Sequence, residues 1–356
     1  LADAANIYSA RPQFFYVPKQ PGLGIYNDQY GGSVYLIEER AGGSWKGTNV
    51  YDGVKKTFNT PEVSEKSIKG HKHQIDEKWA LRSRLFDVII GDWDRHDDQW
   101  RWGRYKADNG DWIYRPIPRD RDQAFSKYDG FITRLATLAS PFTRQLAIYQ
   151  PEIKSVKWSA WSPRNFDAQF LSELDWNDWQ TEAAFLQKNI TDEVIDEAFS
   201  KWPKFAQTED GEYVKSVLRS RRDRITDYAK RYYSFRAKKV DVVGTDDRDL
   251  FEIERLNDEE TRVSMYKLSK KGKKKDRYYQ RTFKRSETKE IHIYGNGDDD
   301  EFIVTGAVEK GIKIRIIGGL GKDKITDESK VSGLSKKTLF YDDKRKNELS
   351  LGTEGK

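Results

Sequence analysis

Two short stretches carry the residue types that could do chemistry. "VIIGDWDRHDDQW", residues 88–100, ends an apolar run on Asp92, Asp94, Asp97 and Asp98 around His96. "PIPRDRDQAF", residues 116–125, adds Asp120 and Asp122. Asp94, His96 and Gln99 make a D-x-H-x-x-Q pattern. Phosphoryl transfer calls for such parts. One carboxylate orients the attacking hydroxyl or takes its proton, a side-chain oxygen five residues on binds metal, and a separate aspartate links metal to phosphate. Two plainer readings stand beside it. The acids form a salt-bridge network with Arg95, Arg119 and Arg121 that closes a helix end. Or His71 and His73 of "GHKHQ" join His96 in a metal-dependent phosphoesterase site, although "HKH" also reads as a solvated loop.

The elements around these stretches must bring them together. Ile75, Trp79, Phe86 and Ile89 recur at helical spacing, with Leu81, Leu85 and Val88 on an adjoining face, which predicts a buried helix over about 75–90. The acids then fall at its C-terminal end, where the macrodipole disfavours anions, so a compensating cation or metal is required. Asn109-Gly110 between aromatic runs predicts a hairpin with a two-residue turn. In that register Trp102 faces Ile117 and Gln99 faces Asp120, with opposed Cα atoms about 5 Å apart. Pro116 and Pro118 weaken the ladder of the second strand.

Here the motifs reach a family resemblance. "GDWDRHDDQ" with "PIPRDRDQAF" resembles the catalytic loop and metal-binding segment of atypical protein-kinase-fold enzymes: phosphatidylinositol kinases, spore-coat-protein-H-type kinases and secretory-pathway casein kinases. The resemblance implies Asp94 as the catalytic-loop aspartate, with His96 supporting the loop. It implies Gln99, Asp120 and Asp122 as the residues that hold Mg²⁺ and ATP phosphates. Gln99 stands where those loops carry Asn or Glu, and the chain has no G-x-G-x-x-G loop. Over its whole length, including "LGIYNDQYGGSVYLIEER" and "GNGDDDEFIVTG", the chain resembles the middle portion of large exported Gram-negative proteins. Those combine a calcineurin-like phosphoesterase domain with a surface-antigen-type outer-membrane β-barrel. The implied partners are a nucleotide, an acceptor substrate and the parent chain's barrel and phosphoesterase domains; the implied location is periplasmic or outer-membrane-associated. A connector that kept the fold without the chemistry is the alternative.

The expected architecture is α+β. Residues 1–60 are irregular and β-leaning, 61–238 form a mainly helical, kinase-C-lobe-like domain, 239–345 an all-β domain, and 346–356 a linker. "GEYVKSVLRSRRDRITDYAKRYYSFRAKK" predicts one long amphipathic helix. In the β domain "IHIYGNGDDDEF" and "IRIIGGLGKDKI" lie about 24 residues apart and predict coils of a small solenoid or the layers of a stacked sheet or sandwich. "GGLGKDKI" also fits the G-G-x-G-x-D-x-U turn of calcium-binding rolls, which makes Asp299 and Asp323 candidate Ca²⁺ ligands, against plain glycine-aspartate turns. "SKKGKKKDR", 269–277, reads as a solvated hairpin tip, or as a contact for anionic lipid.

Composition bounds the rest. The 356 residues carry 64 basic and 58 acidic side chains, a mild net +6 that does not argue for nucleic acid. There is no cysteine, which excludes disulfides and thiolate metal sites. No apolar run approaches the roughly 18 residues of a membrane span. Without a starting Met, "LADAANIYSARPQFF" reads as a piece of a longer exported protein.

Overall fold

The computed structural model describes residues 1–356 apart from 141–142, 144–145, 147–148, 334, 343–346 and 353–356. The fold is α+β. Helices around a small four-stranded sheet occupy the chain up to Arg236, and strands take over from Lys239.

The helix that positions the site runs Glu77–Ile90. Asp76 caps it, its carboxylate accepting from the Trp79 N–H at 3.1 Å. Trp79, Leu81, Leu85, Phe86, Ile89 and Ile90 are all buried, so the apolar residues surround the helix rather than striping it. The periodicity placed Ile75 inside the helix. Instead His73–Ile75 is a short strand, parallel to Trp112–Pro118.

The helix stops at Gly91, which is left-handed at φ 76°. A side chain there would also strike the Tyr149 ring, 2.5 Å from the Cβ position. The last carbonyls are all satisfied. Arg221 donates to Val88 O at 3.0 Å, Tyr149 Oη to Ile89 O at 3.0 Å, and the Phe125 N–H to Ile90 O at 2.9 Å.

The long helix expected before residue 239 is two. Glu212–Asp223 and Ile225–Arg236 break at Arg224, φ −99° and ψ 6°. Their buried stripe runs unbroken through Val214, Val217, Leu218, Arg221, Ile225, Tyr228, Ala229, Tyr232 and Tyr233, which is why the sequence reads as one helix. The break lets the first half pack on Asp192–Ser200 and the core helix while the second lies along Trp176–Asn189.

Near the N-terminus, Ala5 and Ile7 join the helical core, whereas Gln13–Val17 and Ser33–Ile37 form an exposed antiparallel hairpin. From Lys239 the chain is a parallel solenoid built on two strand columns, with a short third parallel pairing of Ala307–Val308 and Lys330–Val331 in the middle coils. One column stacks Lys239–Val243, Glu290–Gly297, Lys313–Leu320 and Thr338–Tyr341; the other stacks Asp249–Arg255, Glu301–Thr305, Lys324–Asp327 and Glu348–Leu351. Glu290 pairs with Lys313 and Glu301 with Lys324, so the expected coil repeat is present. Like side chains stack inward at each level, as with the Phe251 and Phe302 rings, 4.6 Å apart and near parallel. The first coil is longer because the hairpin Glu260–Leu268 and Lys274–Lys284 is inserted there, antiparallel to Asp249–Arg255. Its tip is the lysine-rich turn, closed by Ser269 N–H to Lys273 O at 3.0 Å. The segment read as a linker, 346–356, lies partly outside the described residues; within them Glu348–Leu351 forms the last strand of the solenoid.

Candidate active site at the open end of a hairpin

Trp100–Lys106 and Trp112–Pro118 form the expected hairpin, in the centre of the small sheet between Thr57–Asn59 and His73–Ile75. Its register differs by one residue. The Ala107 N–H reaches Asp111 O at 3.0 Å and the Gly110 N–H reaches Ala107 O at 2.9 Å, so the loop has three residues, with Gly110 at φ 85°. Trp102 therefore pairs with Pro116 rather than Ile117, and Gln99 O accepts from the Arg119 N–H at 2.9 Å, not from residue 120. The ladder runs past both prolines to Trp100 and Pro118.

The two acidic segments still meet. Gln99 Nε2 donates to Asp120 Oδ2 at 3.2 Å. Arg95 holds them in place and is completely buried. Its Nη1 donates to Arg119 O at 2.6 Å and its Nη2 to Gln99 O at 2.9 Å, while the guanidinium lies 4.5 Å from the Trp100 ring centre. The same group pairs with Asp87 and Asp92, each at 3.3 Å. Asp87 also faces Arg84 and Arg121 at 3.3 Å, and Arg84 continues to Asp167 at 2.9 Å, where Tyr232 also donates. The cation required at the helix end is thus a set of guanidinium groups. Burial pushes the Asp92 carboxyl up, with Arg95 pulling it back and Asp87 adding to the rise.

The acids therefore divide. Asp92 belongs to the buried network, while Asp94 is partly exposed and turned the other way. Asp94 Oδ1 accepts from Ser162 Oγ at 3.2 Å, and His96 Nε2 is 4.0 Å from Asp94 Oδ2. His96 caps the short turn Asp97–Gln99, its Nδ1 accepting from the Asp98 N–H at 3.3 Å. With Nδ1 an acceptor, the neutral ring carries its proton on Nε2, facing Asp94. Thr60 Oγ1 donates to Asp97 O at 2.8 Å and accepts from Trp102 Nε1 at 3.1 Å, which ties this loop to the sheet. Asp120 is exposed and left-handed at φ 50°, a conformation that an aspartate tolerates, and Asp122 is exposed.

Among the described residues no three His, Asp or Glu side chains converge as a ready-made metal site. Asp120, with Gln99 against it and Asp122 two residues on, suits instead a hard ion that takes one or two protein oxygens and the rest from phosphate and water, as Mg²⁺ does.

The histidines of "HKH" are elsewhere and are not a solvated loop. His73 Nδ1 lies 2.9 Å from Tyr114 Oη, and His73 pairs with Trp112, near the hairpin's turn and away from its open end. His71 joins the solenoid, with Nε2 2.5 Å from Asp249 Oδ1 and Nδ1 3.4 Å from Asp247 Oδ2. Of the two candidate calcium ligands, Asp299 is partly exposed and its Oδ1 accepts from the Lys322 N–H at 2.9 Å. Asp323 is buried, and its Oδ1 accepts from the Asp300 N–H at 3.0 Å.

The chain matches no family model, no curated protein and no solved structure.

Sequence reasoning did not single out Ser162, 68 positions from Asp94, or Thr60. No local signal marks either. Arg95 was visible only as a member of a charge cluster; its burial was not.

Proposed function

We propose that the open end of this hairpin is a phosphotransfer site of the atypical-kinase type, working with Mg-ATP in an exported parent protein. The observation that carries the reading is the 3.2 Å contact between Gln99 and Asp120, across two segments that Arg95 clasps together. Asp94 orients an acceptor hydroxyl and takes its proton, while Ser162 fixes its carboxylate and His96 stands beside it at 4.0 Å. Asp120, Gln99 and Asp122 would hold the ion. Mg²⁺ would supply charge neutralisation at the phosphates. The Gln99 amide presents nitrogen to Asp120 and would offer Oε1 by rotating about its terminal bond.

A non-catalytic connector is the second reading. It is favoured by the fact that much of the local charge sits in the buried Arg84–Asp87–Arg95–Asp167 network rather than at the surface. The test is thermal unfolding with millimolar Mg-ATP. A rise of several degrees in the wild type, absent in Asp120→Asn, supports phosphotransfer; no shift in either supports the connector. Asparagine keeps the left-handed backbone at residue 120, so the variant removes charge without adding strain.

A further inference from the structure

Each turn between the two strand columns of the solenoid ends in an Asp or Asn, buried in the first three coils and half-buried in the last. Asp249, Asp300, Asp323 and Asn347 stack in successive coils. The Asp249 N–H donates to Asp300 Oδ1 at 2.8 Å, the Asp300 N–H to Asp323 Oδ1 at 3.0 Å, and the Asp323 N–H to Asn347 Oδ1 at 3.0 Å. This ladder needs one side-chain oxygen per coil, and Asn347 shows that a neutral amide provides it. Asp249 uses its second oxygen fully, accepting from the Thr245 N–H at 2.8 Å and its Oγ1 at 3.1 Å. Asp300 and Asp323 do not. Both are 1% exposed, and the Oδ2 of each is buried without a hydrogen-bond donor. A buried carboxylate oxygen with no donor and no cation is costly enough that a fold has to compensate it.

Further oxygens lie close to both of these atoms. Asp300 Oδ2 and Gly318 O lie 2.5 and 2.3 Å from the point where a Gly295 side chain would begin. One coil on, Asp323 Oδ2 and Asp342 Oδ2 lie 2.4 and 2.5 Å from the corresponding point on Gly318. Glycine at 295 and 318 keeps this space open to oxygen atoms. Asp342 stands in the position that Gly244, Gly295 and Gly318 occupy in the earlier coils.

We propose that this buried turn stack binds Ca²⁺ through the carboxylates of Asp300 and Asp323 and the carbonyl of Gly318. The donors are hard oxygens, a mixture of carboxylate and backbone carbonyl, which is the set Ca²⁺ takes and a soft or nitrogen-seeking metal does not. Pairs of carboxylates completed by main-chain oxygen also explain why no cluster of three acidic side chains is present.

The experiment is thermal unfolding of the full chain at pH 8, stripped with EDTA and then titrated with CaCl₂ or MgCl₂. About 5 mM Ca²⁺ should raise Tm by about 5 °C, and the same Mg²⁺ by clearly less. Asp300→Asn keeps the ladder oxygen and removes the charge, so it should melt higher than wild type in EDTA and show no calcium shift. Asp323→Asn should lose the shift as well, while Asp120→Asn, at the hairpin, should keep it. An unchanged wild-type Tm on adding Ca²⁺ overturns the proposal. So does a shift that survives in Asp300→Asn and Asp323→Asn, or one that Mg²⁺ matches. Should acidification to pH 5 in EDTA supply all the stabilisation and Ca²⁺ none, the compensating cation is the proton.

Discussion

Arg95 is the residue on which the candidate site turns, because one guanidinium serves two different purposes. On one side it neutralises Asp87 and Asp92 at the helix end; on the other it fastens Gln99 O and Arg119 O, bringing the two motif segments into register. Replacement by methionine fills the volume but strands the buried Asp92 carboxylate and takes one of three guanidinium partners from Asp87, so Arg95→Met should cost about 3–5 kcal/mol in urea unfolding. The exposed carboxylate Asp98, in the same loop, should cost well under 1 kcal/mol as Asp98→Ala. Adding Asp92→Asn to Arg95→Met should recover part of the loss, because the stranded charge is gone. Asp92 also sets a direction with pH. Its carboxyl is raised by burial, to about 7, so the stability it contributes is complete below the ordinary carboxylate range near pH 4 and is lost as pH rises toward 7. Wild-type protein should accordingly lose more stability between pH 5 and pH 8 than Asp92→Asn, as measured by Tm at each pH. A pH profile identical in the two proteins would sink this assignment.

Among the elements, the hairpin shows where sequence reasoning succeeded and where it failed. Asn109-Gly110 announced the reversal correctly, since only a residue at ease with positive φ fits the end of such a turn. Two- and three-residue loops share that glycine, so the register was not readable from the turn, and it slipped by one. The meeting of Gln99 and Asp120 survived because both lie beyond the paired ladder, where the register no longer dictates which side chains touch. Gly110→Ala should cost about 1 kcal/mol or more from its left-handed backbone alone, by chemical denaturation, without moving the Gln99–Asp120 contact. The solenoid was legible because strand periodicity and turn glycines repeat along the chain. The helix break at Arg224 was not, since an unbroken apolar stripe is equally compatible with one helix or two, and the choice rests on which neighbours each half finds. His71 was misread for the same reason. Its partner Asp249 lies 178 positions away, and nothing near "HKH" encodes that pairing.

At the scale of the molecule, the helical part and the solenoid are joined by a few polar contacts rather than by a shared core. The apolar clusters are separate, one through the helices and one inside the solenoid. Between them run the His71–Asp249 pair at 2.5 Å, the Asp246 N–H to Ile68 O at 2.6 Å, Arg281 Nη1 to Ser172 O at 2.6 Å and Tyr233 Oη to Glu287 at 2.7 Å. A cleft of about 470 Å³ lined by His71, His73, Phe170, Tyr278 and Tyr294 remains beside them. Interfaces of this kind couple two folding units only as strongly as their few bonds. His71 also closes the leading end of the aspartate ladder, so its loss acts on both sides of the junction. His71→Ala should therefore uncouple the two parts, so that they melt separately. The sequence supplies a clean reporter, because all 11 tryptophans lie between residues 45 and 202, in the helical part. In the wild type, tryptophan fluorescence and far-ultraviolet circular dichroism should melt together. In His71→Ala the fluorescence transition should part from the strand-dominated component of the dichroism by several degrees. Coincident transitions in the variant would mean that the remaining contacts suffice to couple the two parts, and that His71 is no more than one contact among several.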